Sequence, residues 1–224
     1  MLWYASATGG VGIAIAPTPS STTSGTTNWY VSQTVNGCES QRALVSVVIT
    51  AKPSMPTVNN ITYCEGATTT ALTATGQNLL WYNVQTGGTG TPTAPIPSSL
   101  SVGVNYYYVS QTINGCESDR AILVVSIIVK PTMPAVPASI SYCQGEVALP
   151  LTATGQNLLW YANANGGVGN AIAPVPNTNA IGITNYYVTQ TTNGCESDRA
   201  VIAVKIFDKA PASIMLSKLS VCQF

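Results

Sequence analysis

The sequence predicts an all-β chain built as a linear tandem array of small two-sheet sandwiches. Three observations predict it. The chain repeats itself every 78–79 residues. Its apolar residues follow strand periodicity, and no stretch sustains a helical one. Asn-Gly pairs and Pro-rich segments return at fixed places in each copy, marking hairpins and linkers.

The repeat is read from its landmarks. Leu2-Trp3-Tyr4 returns as Leu80-Trp81-Tyr82 and as Leu159-Trp160-Tyr161. Asn36-Gly37-Cys38-Glu39-Ser40 returns at 114–118 and 193–197. Tyr63-Cys64 returns as Tyr142-Cys143 and more loosely as Val221-Cys222, while 73–79 returns unchanged as 152–158. Lys52-Pro53-Ser54-Met55-Pro56 and Lys130-Pro131-Thr132-Met133-Pro134 are equivalent linkers. Proline fixes φ and removes a ladder donor there, which ends one strand and stiffens the passage to the next domain. The expected organisation is therefore 1–53, the C-terminal part of a repeat; 54–131 and 132–210, two complete repeats; and 211–224, the start of another. Met1 stands where Leu79 and Leu158 stand, in mid-repeat, so further repeats are expected on both sides.

Strands of the first complete repeat are expected near 57–63, 69–75, 78–84, 92–101, 104–113 and 117–129. Asn114-Gly115 between two β-rich runs predicts a two-residue type I′ turn, repeated in every copy. The last strand shows its faces when the copies are compared. Val45, Val47 and Ile49, then Leu123, Val125 and Ile127, then Ile202, Val204 and Ile206 are always aliphatic and should point into a core. The indoles of Trp3, Trp81 and Trp160 should fill that core, each contributing several kcal/mol, on the order of the 3–5 lost when a core aromatic is truncated. Trp29, Tyr107 and Tyr186 should point in with them. Tyr82, Tyr108, Tyr161 and Tyr187 should face out, either as paired residues that stabilise a sheet face or as a surface that binds sugar or a protein.

Composition narrows function. Of 224 residues, 46% are hydrophobic, enough for cores, and only 7% are charged, against roughly 25% in ordinary soluble proteins. Formal net charge is zero, and no basic run offers nucleic acid or an anionic membrane a counterion-driven contact. The longest apolar stretch, 121–129, is far too short to span a bilayer, so no membrane insertion is expected. With no His in the chain, Ser-His-Asp and Cys-His catalysis are excluded. The acids recur once per repeat (Glu39, Glu117, Glu196, then Asp119, Asp198), which suits a local surface ion pair with Arg120 better than a catalytic pair. A calcium site would need more oxygen ligands. The Gly-Gly-x-Gly loops at 87–90 and 166–169 lack the Lys-Ser/Thr of a phosphate loop and read as turns. Asn60-Ile61-Thr62 is a single glycosylation sequon. No enzyme, cofactor or metal is called for.

The order Tyr-Cys-x-Gly, Trp-Tyr, Thr-Gly-Gly-Thr-Gly (86–90), Tyr-Tyr-Val and Gly-Cys-Glu-Ser-x-Arg resembles the Ig-like CHU_C-associated domain across nearly the whole chain. The resemblance implies tandem Ig-like β-sandwiches from large secreted or surface proteins of Bacteroidota, many exported by the type IX system and some acting as gliding or attachment adhesins. It implies neighbouring repeats of the same chain as partners, with glycans or other surface proteins as further candidates.

Six Cys at regular spacing and no His argue for disulfides, and so for an extracellular or cell-surface location. Two pairings stand open. Cys64–Cys116 and Cys143–Cys195 would close each domain, leaving Cys38 and Cys222 with partners outside the chain. Ig topology, however, puts the first turn and the last hairpin at opposite ends of a sandwich, roughly 20 Å apart at ~3.3 Å per residue, while a bridge needs Cα atoms within about 7 Å. Cys64–Cys195 would instead join neighbouring domains. The function expected is a stalk or filament body of a surface adhesin, with a binding module or a spacer in a secreted hydrolase as alternatives.

Overall fold

A computed structural model describes residues 1–210; the expected stub at 211–224, with Cys222, lies outside the described residues. Nineteen strands and no helix occur among them. Residues 1–53 contribute β1 (Leu2–Tyr4), β2 (Gly25–Ser32), β3 (Thr34–Val35), β4 (Cys38–Glu39) and β5 (Ala43–Ile49). The first complete repeat contributes β6 (Thr57–Val58), β7 (Ile61–Cys64), β8 (Ala74–Thr75), β9 (Leu80–Tyr82), β10 (Gly103–Ser110), β11 (Thr112–Ile113), β12 (Cys116–Glu117) and β13 (Ala121–Ile128). The second contributes β14 (Ser139–Cys143), β15 (Leu159–Tyr161), β16 (Gly182–Thr189), β17 (Thr191–Thr192), β18 (Cys195–Glu196) and β19 (Ala200–Phe207).

The chain divides into two compact units. The first holds Met1–Thr62, Thr68–Ser98 and Gly103–Ser126; the second holds Tyr63–Ala67, Ser99–Val102 and the chain from Ile127 onward. The division therefore falls inside strands, after Thr62 in β7 and after Ser126 in β13, and not at the proline linkers.

The main sheet of the second unit runs β14-β19-β16-β15. Its long strands pair antiparallel from Gly182↔Ile206 to Val188↔Ala200, and β14 joins β19 in parallel, Ile140 opposite Val204. The edge strand β15 places Trp160 opposite Val188. Alternation does the rest: Ile202, Val204 and Ile206 share one face of β19 and pack with Leu151, Trp160 and Val188, while Val136, Ile140 and Tyr186 close the rim. The same order, β7-β13-β10-β9, recurs with Leu123, Val125, Val109 and Trp81 buried. In residues 1–53 the sheet is three-stranded, β1-β2-β5. Val45, Val47 and Ile49 are half-buried where their equivalents are fully enclosed.

Each Asn-Gly pair has φ above zero at both residues, 51° and 77° at Asn114-Gly115, as a type I′ turn requires. The turn joins β11 to β12, a short hairpin separate from the main sheet.

Two strand expectations are corrected. Residues 92–101 form no strand, because Pro92, Pro95 and Pro97 cannot donate to a ladder. The segment is held by single bonds instead: Leu72 N donates to Pro95 O at 2.9 Å and Thr69 Oγ1 to Pro97 O at 2.6 Å. The strand expected at 69–75 shrinks to Ala74–Thr75, paired with Thr57–Val58.

Burial fixes the expected cost of core truncation. Leu123→Ala and Ile202→Ala, both at 0% exposure, should each lose about 2–5 kcal/mol. Val45→Ala at the equivalent half-buried position should lose clearly less. Denaturant unfolding of the three variants checks the order.

Candidate functional site

Among the described residues one disulfide forms, between Cys64 and Cys195, with Cα atoms 5.6 Å apart across 131 residues of sequence. Both cysteines belong to the second unit. Cys64 ends β7, and its turn is tied by Glu65 N to Ile128 O and by Gly66 N to Ser99 O. Cys195 opens β18 just after the Asn193-Gly194 turn and is fully buried. This pairing joins the first turn of one repeat to the last hairpin of the next. The alternative pairing within each domain is thereby corrected: Cys116 and Cys143 are free thiols, as is Cys38.

The second recurring arrangement surrounds the tyrosine of Leu-Trp-Tyr. Tyr82 was expected to face solvent, and that is corrected: it is 7% exposed, and Tyr4 is 6% exposed. Its hydroxyl donates to Glu117 Oε1 at 2.6 Å, and Ser110 Oγ donates to the same oxygen at 2.5 Å. The Arg120 guanidinium lies 3.3 Å from the ring centroid and donates to Val84 O at 2.7 Å. A Cβ built on Gly90 would lie 2.6 Å from Tyr82 Oη, so only glycine fits against the ring there. The ring is thus enclosed by cation–π stacking, a charge-assisted hydrogen bond and a glycine contact, not left on the sheet face.

The arrangement is built three times. Tyr4 and Ser32 donate to Glu39 while Arg42 stacks on Tyr4 and binds Ser6 O and Gly9 O. Tyr161 and Thr189 donate to Glu196 while Arg199 stacks on Tyr161 and binds Asn163 O and Gly166 O. Each arginine therefore ties the Gly-Gly loop to the ring. Tyr161 is half-buried for the same reason, and its neighbours Tyr187 and Tyr108, opposite Tyr161 and Tyr82 in register, are half-buried as well. The four tyrosines do not make an exposed stripe; Tyr106, at 56%, is the exposed tyrosine of that strand. Trp81 and Trp160 are buried and Trp3 is half-buried.

The carboxylates feel their donors. Hydrogen bonds from Ser110 and then Tyr82 hold Glu117 below the ordinary carboxyl value of 4.5, against some opposing desolvation, with Arg120 and Lys52 adding to the effect. Ser32 and Tyr4 lower Glu39 likewise. Desolvation, followed by the bond to Glu196, raises Tyr161.

Two roles escaped sequence reading. Asp119 and Asp198 pair with Lys52 and Lys130 of the preceding linkers, not with the neighbouring arginines, and both pairs are exposed enough to contribute little. Gln111 is buried and ties three segments: Nε2 donates to Ser54 O at 2.9 Å, and Oε1 accepts from Gln77 N at 2.9 Å. Gln190 does the same with Thr132 O and Gln156 N. Their recurrence in Gln-Thr before the hairpin was the available signal. Asn60 of the sequon accepts from Val124 N through Oδ1.

The lowered Glu117 pKa carries a sign. Proton loss from this carboxyl is easier in the folded chain, so its stabilising contribution is present above pH about 4.5 and disappears as pH falls through the lower folded value. Glu117→Gln should flatten the acid limb of a stability–pH profile measured by urea unfolding, with the wild-type protein retaining the steeper fall.

A family model for the Ig-like domain described as CHU_C associated matches residues 53–131 and 131–207. No curated protein matches the chain. Among solved structures, an endo-fucoidan hydrolase from glycoside hydrolase family 107 aligns at 9% identity and TM-score 0.24, over 86% of this chain and 35% of that one. Human mucin-like protocadherin EC1-2 aligns at 12% and 0.24, over 71% and 100%. Sidekick-1 immunoglobulin domains 1-4 align at 17% and 0.29, over 92% and 67%. The chain spans about a third of that hydrolase's length, and similarities this distant carry no argument about activity. The two family matches, end to end over most of the chain, coincide with the repeated sheet, bridge and tyrosine enclosure: the chain belongs to the CHU_C-associated Ig-like domain family.

Proposed function

We propose that the chain is a structural repeat segment, stalk or filament body, of a large extracellular surface adhesin, and that it is not catalytic. The observation that carries this reading is the Cys64–Cys195 bridge, which links repeat to repeat across 131 residues. A bridge of this kind bears load without unfolding. It also needs an oxidising compartment, which supports a place outside the cell. The repeated polar groups are consistent with the same role. Glu117, Arg120, Tyr82 and Gln111 are each engaged in binding their own repeat together, and the same chemistry is copied from repeat to repeat. Length is a property that copying supplies.

A second reading, a glycan- or protein-binding module, is favoured by one observation. Beside Trp160, Tyr186 and Pro174 lies an open apolar groove of about 380 Å³, and the equivalent groove beside Trp81, Tyr107 and Pro95 measures about 270 Å³. Aromatic walls of this kind can stack on sugar rings.

Two measurements separate the readings. In single-molecule pulling from the chain ends, residues between the bridged cysteines should stay locked until reductant is added. Reduction should then release roughly 430–470 Å, from 131 residues at ~3.3–3.6 Å each. Cys64→Ser should show the full length at once, and full extension of the oxidised wild-type chain would sink the load-bearing reading. On a glycan array, reproducible binding lost in Tyr107→Ala and Tyr186→Ala, the tyrosines that wall the two grooves, would favour the binding module; an array without signal is expected.

A further inference from the structure

The three cysteines that are free among the described residues are repeats of the two bonded ones. Cys143 is the counterpart of Cys64, and Cys38 and Cys116 are counterparts of Cys195. Their surroundings match bond for bond. At the Tyr-Cys turns, Glu65 N donates to Ile128 O and Gln144 N to Phe207 O, both at 2.8 Å. Gly66 and Gly145 follow at φ 76° and 78°, donating to Ser99 O and Thr178 O. Ala67 N and Glu146 N then close back on the carbonyls of Cys64 and Cys143 at 3.0 Å each. At the hairpins, Cys38, Cys116 and Cys195 sit opposite Val35, Ile113 and Thr192. Asn36, Asn114 and Asn193 all have φ 51°, and Ser40, Ser118 and Ser197 donate to Gln33, Gln111 and Gln190 at 2.9 Å each.

The bonded pair shows what such a turn and such a hairpin do when they meet. We propose that each free cysteine is a preformed half-bridge for a further repeat of this family. Cys143 takes the hairpin cysteine of an Asn-Gly-Cys turn. Cys38 and Cys116 take the cysteine of a Tyr-Cys turn. The bridges then form a ladder in which every repeat is held to the repeats before and after it. Exposure agrees with this: Cys38 and Cys143 are exposed and Cys116 partly so, open to a partner, whereas Cys195 is enclosed once its bridge is made.

The chemistry is thiol–disulfide exchange. A Cys143 thiolate attacks a low-molecular-weight disulfide such as oxidised glutathione and releases one glutathione thiolate. The hairpin thiolate then attacks the mixed disulfide at the Cys143 sulfur and releases the second. One glutathione disulfide is reduced to two thiols as one protein disulfide forms, so the electrons and protons balance.

The inference rests on the Cys64–Cys195 bridge and the repeat, not on the stalk reading, so mapping can fail while that bridge still holds under load. Two chains are used, each with the Tyr-Cys and hairpin cysteines intact: this chain carrying Cys222→Ser, and a chain in which a copy of residues 132–210 follows Ala210. Both are incubated in a redox buffer of reduced and oxidised glutathione, alkylated, and digested without reduction. In the lengthened chain, Cys143 should be linked to the hairpin cysteine of the added repeat, at the same separation of 131 residues as the existing bridge. In this chain alone, multimers joined through Cys143 of one copy and Cys38 or Cys116 of another should appear, vanish with dithiothreitol, and be absent in Cys143→Ser. Links in the lengthened chain only assign the partner to the same polypeptide, and links in both admit a second copy. Neither link in either chain, with Cys143 ending as a glutathione adduct, a free thiol or a Cys143–Cys143 pair, overturns the proposal.

Discussion

The structure depends on one contact: the aliphatic row of each last strand against the indole of Leu-Trp-Tyr. Leu123, Val125 and Ile127, and then Ile202, Val204 and Ile206, are almost wholly enclosed, and Trp81 and Trp160 are enclosed with them. A repeat of this size has little surplus surface to bury. The row must therefore be covered along its whole length, and the strand preceding Cys64 or Cys143 contributes to that cover. In residues 1–53 the equivalent aliphatic positions and Trp3 are half-buried.

The tyrosine enclosure handles the side of the sheet away from that core. Beyond Leu80–Tyr82 and Leu159–Tyr161 the chain leaves strand geometry for glycine-rich loops, which have few ladder bonds of their own. An arginine from the start of the last strand binds loop carbonyls and stacks on the ring, and a glutamate from the hairpin takes the hydroxyl. Three distant segments meet on one aromatic side chain. This accounts for a chain with so few charges placing Glu and Arg at the same positions in every copy.

How much of this was legible in the sequence follows from the range of each interaction. Strand faces, the Asn-Gly turns and the buried indoles are local or period-two features, and aligned copies expose them directly. The outward reading of Tyr82 failed because alternation says which side a residue leaves the sheet, not what covers it there; Arg120 and Gly90 come from other segments. The strand expected at 92–101 is absent because Pro92, Pro95 and Pro97 have no N–H to give a ladder. Two pairings stay open in the sequence, with distance counting against the one within each domain, and choosing between them needs the placement of Cys64 and Cys195 in one compact unit. The charged pairs Lys52–Asp119 and Lys130–Asp198 escape the sequence because each crosses from a linker to the segment between the hairpin and the last strand.

The link between Cys64 and Cys195 also changes what a protease can do. A cut anywhere in the intervening chain, loops and proline segments included, leaves both fragments attached through sulfur. Backbone scission and physical severance become separate events, and a nicked molecule keeps its two ends on one covalent body for as long as its surroundings stay oxidising.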